Sequence, residues 1–425
     1  MRKIFATLSF VWCLPLSPSS AADVGDNAIN VRTHLHPPYQ LLKDKELTGT
    51  GVQAMRCVFT QMGRKYQIML SPPNRNRHLM TVGKVDGLFL KIPNRELNKM
   101  GTATEPLAVE RWKFFRLNGP LDKTGGPIPN VNDRIGSVLG SNEGSWLREH
   151  QFEKLAFSSN MKSLIKVLLN KRVDYVLADE AAFLQAAKEL EFGLENIRSS
   201  FVRYVPLVAY FSHNFVEDNP GFLNDFNRRI DLCPTDEKQP TAAEEQRLAD
   251  LAELYVSFGD LQAVIVQQAL ENREGNSQTD NELLDRKKQQ DATWIEVRKN
   301  NKKTETPFMT SILGNGLSKE LKRIKKRSKG IISEVFVFDD QGYILGLSEI
   351  TSDYWQGDEQ KYNRIFKDNK RINFSRIQFD SSTRKFQISV TMPIFNPETG
   401  QKIAGITFGF DADTSLSDYT VSKPL

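Results

Sequence analysis

The stretch Arg77-His78-Leu79-Met80-Thr81-Val82-Gly83-Lys84-Val85-Asp86-Gly87-Leu88-Phe89 decides how the first half of the chain is read. A helical run breaks at a glycine, and an Asp-Gly pair then leads into an apolar strand. On either side short apolar runs alternate with helical stretches: strand Ile29 to Thr33, helix Gly51 to Met62, strand Gln67 to Leu70, helix Arg77 to Val82, strand Gly87 to Leu90. This is α/β grammar. It repeats after Asn130, with strand Arg134 to Leu139, helices Ser145 to His150 and Met161 to Leu169, strand Val173 to Leu177 and helix Ala181 to Leu190. Two α/β lobes are implied.

Beyond them the pattern changes. Leu248, Leu251, Ala252, Tyr255, Leu261, Ile265 and Leu270 recur at helical spacing without strand signals, which predicts a helical connector. A polar turn follows over Glu274 to Asp280, then more helix from Asn281 to about Arg298. Residues 331–413 are β-rich, with strands over Glu334 to Phe338, Tyr343 to Leu347, Ser375 to Phe379, Lys385 to Phe395 and Lys402 to Phe410. Turn clusters such as Asp380-Ser381-Ser382-Thr383 and Asn396-Pro397-Glu398-Thr399-Gly400 separate them, so an antiparallel sheet packed on the preceding helices is expected.

At 425 residues, 39% hydrophobic and 26% charged, the chain has the composition of a soluble, multi-domain protein, which excludes a wholly disordered or polytopic membrane chain. Arg2 and Lys3, the apolar run Ile4 to Leu16 and the small residues Ser20-Ala21-Ala22 predict a cleaved signal peptide ending at Ala22, and hence a periplasmic protein. No later stretch approaches the length of a membrane span. Without Arg2 and Lys3 the mature chain has 55 basic and 52 acidic residues, a balance of +3 that selects no partner.

Cys13 leaves with the signal, while Cys57 and Cys233 are too far apart for a metal-ligand pair; export permits a disulfide between them without requiring one. His34, His36, His78, His150 and His213 form no zinc motif, so no metal or cofactor is expected. The basic cluster Lys319, Lys322, Arg323, Lys325, Lys326, Arg327 and Lys329 is threaded by Leu321 and Ile324 and reads as a solvated helix face rather than a nucleic-acid surface.

His36-Pro37-Pro38-Tyr39, Gly49 to Met62, the Asn74 to Phe89 stretch and Arg172-Val173-Asp174-Tyr175-Val176-Leu177-Ala178-Asp179, in this order, resemble the periplasmic solute-binding proteins of the polar amino-acid family (family 3). The resemblance implies a two-lobed fold closing on a ligand, with crossovers near Phe114 to Arg116 and Leu207 to Phe211. Lobe 1 then spans about 23–113 and 208–233, and lobe 2 about 114–207. It also implies that Arg95 clamps a ligand carboxylate, since a guanidinium offers two parallel donors. Asp179 would take an ammonium, and it equally suits the N-cap of the helix that follows. Gly140-Ser141-Asn142 would open a helix with free amides toward the ligand, and His36 and Tyr39 would stack on it. The chain departs from the family at Leu90-Lys91-Ile92, before the arginine, and at Gly51-Val52-Gln53-Ala54, which lacks an aspartate. The ligand class therefore stays open among amino acids and related amines or carboxylates.

Residues 281–425 resemble extracytoplasmic Cache (PDC-like) sensor domains, which have a PAS-like α+β fold. The likeness rests on a long helical lead-in, Val335-Phe336-Val337-Phe338-Asp339-Asp340-Gln341-Gly342, the string Thr351-Ser352-Asp353-Tyr354-Trp355-Gln356-Gly357-Asp358-Glu359, and a closing hairpin ending in Gly405 to Asp411. Asp353, Tyr354, Trp355 and Asp358 place rings beside carboxylates, which suits an amine ligand. The alternative is a core tryptophan beside a capping aspartate.

Neither half offers a nucleophile with its base, so binding is expected rather than catalysis. The reading is an exported receptor, with residues 234–280 as connector, that signals through a membrane partner in trans. The alternatives are the substrate-binding component of an ABC transporter, or a periplasmic dehydratase or lyase using a cleft carboxylate.

Overall fold

The computed structural model describes residues 28–118, 128–233, 235–274, 280–299, 305–380 and 383–417; the signal segment lies outside them. Lobe 1 begins with β1 (Ile29–Thr33), the hairpin β2 (Leu41–Lys43) and β3 (Glu46–Thr48), α1 (Thr50–Gln61), β4 (Tyr66–Leu70) and α2 (Pro73–Thr81). It continues through β5 (Gly87–Lys91), α3 (Arg95–Met100) and β6 (Gly101–Ala103), and β7 (Ala108–Leu117) carries the chain away. Lobe 2 holds β8 (Arg134–Val138), α4 (Asn142–Glu149), β9 (Lys154–Ser158), α5 (Met161–Leu169), β10 (Tyr175–Asp179) and α6 (Glu180–Glu189). The long strand β11 (Ile197–Ser212) returns to lobe 1, which α7 (His213–Asp218) and α8 (Phe222–Ile230) complete.

The strands form one ladder, β4-β1-β5-β11-β7-β10-β8-β9, with β6 also on β11. β1 runs parallel to β4 and β5, and β8 runs parallel to β9 and β10, as expected for strands joined by helical crossovers. β7 and β11 lie antiparallel and join the lobes. β11 exchanges β7 for β5 at Leu207/Val208, within the expected second crossover. The first crossover lies N-terminal to Phe114 to Arg116: Phe114 and Phe115 already pair with Leu177 and Val176 of lobe 2, whereas Ala108 pairs with Leu207. Side-chain packing agrees, since Leu107 and Ala108 belong to the lobe 1 core and Trp112 and Phe114 to that of lobe 2.

Lobe 1 is closed by α8, whose Phe222, Phe226 and Ile230 recur at i, i+4 and i+8 and are buried on one face. A Cys57–Cys233 disulfide ties the end of this region to α1. Closing so long a loop is worth about 2–5 kcal/mol.

The rest of the chain comprises α9 (Ala242–Val256), α10 (Leu261–Glu274), α11 (Asp280–Lys299), α12 (Pro307–Gly314) and α13 (Gly316–Arg327), then β12 (Ile332–Asp339) and β13 (Ile344–Leu347). The short α14 (Gln360–Tyr362), β14 (Asn373–Phe374), β15 (Gln378–Asp380), β16 (Lys385–Phe395), β17 (Lys402–Asp411) and α15 (Ala412–Leu416) follow. The sheet is antiparallel, ordered β13-β12-β17-β16-β14 with β15 on β16. Leu248, Ala252, Leu261 and Ile265 share one core with Ile388, Val390 and Phe408, so α9 and α10 are layers of the C-terminal unit rather than a free connector. That core also takes in Val109, Phe201 and Tyr204 of the crossover strands. The C-terminal unit is therefore seated on the hinge of the two-lobed unit. On α13, Leu317, Leu321 and Ile324 are buried while most of its basic residues stay exposed. No helix among the described residues is long and apolar enough to cross a membrane.

Candidate functional site

The interlobe seam forms where β1, β8 and β10 end in loops, the usual place for ligands in open α/β sheets. From lobe 1, the loop after β1 delivers His36 and Tyr39, whose rings stack at 5.6 Å between centroids. Tyr39 is fully buried. Its carbonyl accepts from the amides of Gly51 and Val52 and so caps α1. Gly49 is required there: it has φ 117°, and a Cβ would strike the Tyr39 carbonyl. Leu90, itself at φ 49°, fills the space over Gly51, where a Cβ would strike its side chain.

From the crossover, Glu110 is 2% exposed, and its carboxylate accepts from Trp112 Nε1 at 2.7 Å and meets His36 Nε2 at 2.7 Å. Lobe 2 adds Asp179, 1% exposed, whose Oδ2 accepts from Tyr39 Oη at 3.2 Å and from the Ala182 amide at 3.0 Å. Its Oδ1 accepts from the Arg111 amide at 2.9 Å. Asp179 is thus both the N-cap of α6 and a lobe-to-lobe contact. Ser141 caps α4, accepting from the Gly144 amide at 3.1 Å. Glu143 lies in the first turn of α4, so a carboxylate of the chain already sits at this helix start.

Burial and the Glu110 charge raise the pKa values of both Asp179 and Glu143, against the opposing pull of backbone amides and of His36. For His36, burial works to lower the value, but the hydrogen bond and charge of Glu110, with Asp179 and Glu143 beyond, raise it. On the lobe 1 wall, burial and Arg77 lower Lys91 to about 8. Lys91 Nζ lies 3.0 Å from His34 Nδ1, and burial, Lys91 and His36 depress His34 to about 3, so a neutral His34 accepts this bond. The Lys91–His34 pair thus borders the acid-bearing cluster, with the His34 ring 6.0 Å from that of His36.

Of the residues expected to bind solute, the structure brings His36, Tyr39 and Asp179 together. Ser141 serves as a cap, and Asn142 is exposed. Arg95 is exposed on the first turn of α3 and makes no hydrogen bond or ion pair among the described residues, so it does not oppose Asp179 in this structure. Lys91 is the half-buried cation instead. Sequence reasoning missed Glu110, Glu143 and Lys91. The signal for Glu110 was there, as the only acid in the otherwise apolar and basic strand Ala108 to Leu117.

Behind the seam, Arg111 pairs with Glu180 and with Glu244 of α9, both at 3.0 Å, and lies over the Tyr204 ring. Tyr204 donates from its hydroxyl to Glu244 at 2.8 Å and from its amide to Asp413 at 2.8 Å. These bonds pin the hinge to α9 and α15.

In the C-terminal unit three of the four candidate residues make scaffold contacts. Tyr354 is buried against Trp294 and Phe308. The amides of Tyr354 and Trp355 both donate to Asp291 Oδ1 at 2.9 Å, and Trp355 Nε1 donates to the Gln341 carbonyl at 2.9 Å. Asp353 accepts from Gln356 Nε2 at 2.6 Å, and Asp358 is exposed. A separate cavity of about 860 Å³ lies between lobe 1 and the C-terminal sheet. It is lined by charges of both signs, including Glu105, Asp231, Lys238 and Arg376, and by none of the expected site residues.

No protein-family model matches the chain, and no curated protein matches it. Solved structures resemble its first half at low identity. One is a histidine kinase sensor domain with similarity to periplasmic binding proteins (14% identity, covering 48% of this chain and 89% of that one, TM-score 0.39). Another is the GluR0 ligand-binding core from Nostoc punctiforme in complex with L-glutamate (18%, 48% and 91%, TM-score 0.36). A third is the L-cystine solute receptor of Neisseria gonorrhoeae in the unliganded open conformation (17%, 49% and 88%, TM-score 0.38).

Proposed function

We propose that the chain is an extracytoplasmic receptor whose two lobes close on a small polar solute, an amino acid or a related amine, and whose C-terminal, Cache-like unit passes closure to a membrane partner in trans. The observation that carries this is the seam: buried Glu110 and Asp179 on or beside the crossover strands meet His36 and Tyr39 of the opposite lobe. Buried carboxylates crowded beside one imidazole favour an ammonium group, whose charge offsets the cost of their desolvation. Binding rather than turnover suits such a site, whose acids are held by amides, a ring and an indole. The Cys57–Cys233 disulfide supports an oxidising compartment.

Sensing is favoured over delivery to a transporter by the seating of the C-terminal unit. Its core and the Arg111–Glu244 and Tyr204–Asp413 contacts lie on the hinge strands, where lobe rotation is felt. A thermal-shift screen of amino acids, amines and small carboxylates on the mature chain tests the reading, because a ligand of the native state raises the melting temperature. An ammonium-bearing hit whose shift disappears in Glu110→Gln is the expected outcome. Hits confined to carboxylates without a cation, or an unchanged shift in the variant, contradict it.

A further inference from the structure

The seam is held by the chain's own charges, and they are arranged as a proton-sensitive set. His36 belongs to lobe 1, Glu110 to the crossover strand, and Asp179 and Glu143 to lobe 2. We propose that these four side chains form a proton-dependent latch that holds the lobes together, with the His36 imidazolium in the place a solute's ammonium would take. The proposal rests on the two-lobe reading above and adds the occupant and its control.

The groups around His36 are these. Glu110 Oε1 touches it at 2.7 Å. Asp179 and Glu143 act on it through space, and Tyr39 stacks on it. The His34 ring lies 6.0 Å away, with Lys91 behind it and Arg77 acting on Lys91. Arg111 points to Glu180 and Glu244, away from the set.

With His36 protonated and Asp179 and Glu143 carrying protons, Glu110 has a matching cation and the cluster is nearly neutral. Once His36 is neutral and the acids ionise, buried Glu110 and Asp179 are left without their cation, with partly exposed Glu143 beside them. The shifts of His36, Asp179 and Glu143 run in one direction, whereas the lowered values of His34 and Lys91 have their charge partners, His36, Lys91 and Arg77, within lobe 1 alone. The joined seam raises the His36 pKa, so that contribution is full below about 6.5 and is lost as pH rises through the raised value. It also raises Asp179 and Glu143 to about 7, so their penalty on joining is absent in acid and grows as pH climbs toward that value. Parting the lobes hydrates these groups and relieves it. Closure therefore weakens as pH rises, and an organic ammonium, which keeps its charge, replaces the lost proton.

The test needs no ligand. Small-angle scattering of the mature chain at about pH 5.5 and about pH 8.5 reads the lobe separation, and a ¹H–¹³C histidine titration reads His36 directly. The expected result is a larger radius of gyration at the higher pH, with His36 titrating above 6.5. His36→Gln keeps a neutral partner for Glu110 but has no proton to release, so its radius at the lower pH should approach that of the wild type at the higher. A wild-type radius equal at both pH values, a His36 titration at or below 6.5, or a variant curve superimposing on wild type overturns the latch. If His36→Gln does not fold, the two wild-type measurements decide. A failed latch beside a successful ligand screen leaves the solute cleft standing; an intact latch with no ligand counts against the solute reading alone.

Discussion

The interlobe seam and the loop over residues 353–358 both place aromatic rings beside carboxylates, yet they use them in opposite ways. In the loop the buried polar groups are matched: Asp291 takes two amides, Gln341 takes the Trp355 indole, and Asp353 takes Gln356. The seam crowds Glu110, Glu143 and Asp179 around a single imidazole, and burial drives two of these acids toward protonation. A satisfied network fixes a fold, whereas a carboxylate cluster short of cations has binding energy to offer. The residue types are alike; the balance of charge separates site from scaffold.

The sharpest way to break this contrast is behind the seam. Arg111→Ala removes the cation from Glu244 and half the partners of Glu180, whose remaining partner is Lys113 at 2.6 Å. Leaving buried charge uncompensated should cost about 3–5 kcal/mol. Chemical denaturation reads it, and a loss below about 1 kcal/mol would mean that the hinge does not depend on this junction.

Asp291→Ala tests the scaffold side. It strips the acceptor from the buried Tyr354 amide and from that of Trp355, and should destabilise by about 1–3 kcal/mol. Calorimetric unfolding checks it; a neutral result would show the loop free to rearrange around a ligand.

Arg95→Ala has the smallest expected effect. An exposed side chain with no partner among the described residues should change stability by no more than about 0.5 kcal/mol. A solute affinity that nevertheless collapses in this variant would mean that α3 moves into the cleft on binding, and would restore the carboxylate clamp.

Much of this architecture is legible in the residues themselves. The helix, glycine and Asp-Gly strand over residues 77–89, repeated in kind over 172–179, mark the two lobes because periodicity and turn residues act locally. Asp179 is readable for the same reason: a strand ending in aspartate before a helix has to serve as a cap. The first crossover is not, because β7 and β11 run unbroken between lobes and no local signal marks where a strand changes its partner. Position in a family pattern points to Arg95, whereas the structure leaves Arg95 exposed and half-buries Lys91, which follows Leu90 in its left-handed conformation. Glu143 is invisible locally because its environment comes from Glu110 and His36, distant in sequence. In the C-terminal unit, the Asp-Tyr-Trp string resembles a site because sequence shows which groups are polar but not which are already paired.

The most direct measurement is a calorimetric titration of the ammonium-bearing solute from the screen into wild type, Asp179→Asn and Asp353→Asn. Asn keeps the capping geometry at residue 179 while removing the charge. The account predicts that Asp179→Asn loses about 2 kcal/mol or more of binding, roughly thirtyfold in affinity, with Asp353→Asn within about twofold of wild type. Unchanged affinity in Asp179→Asn, or a loss confined to Asp353→Asn, would contradict it.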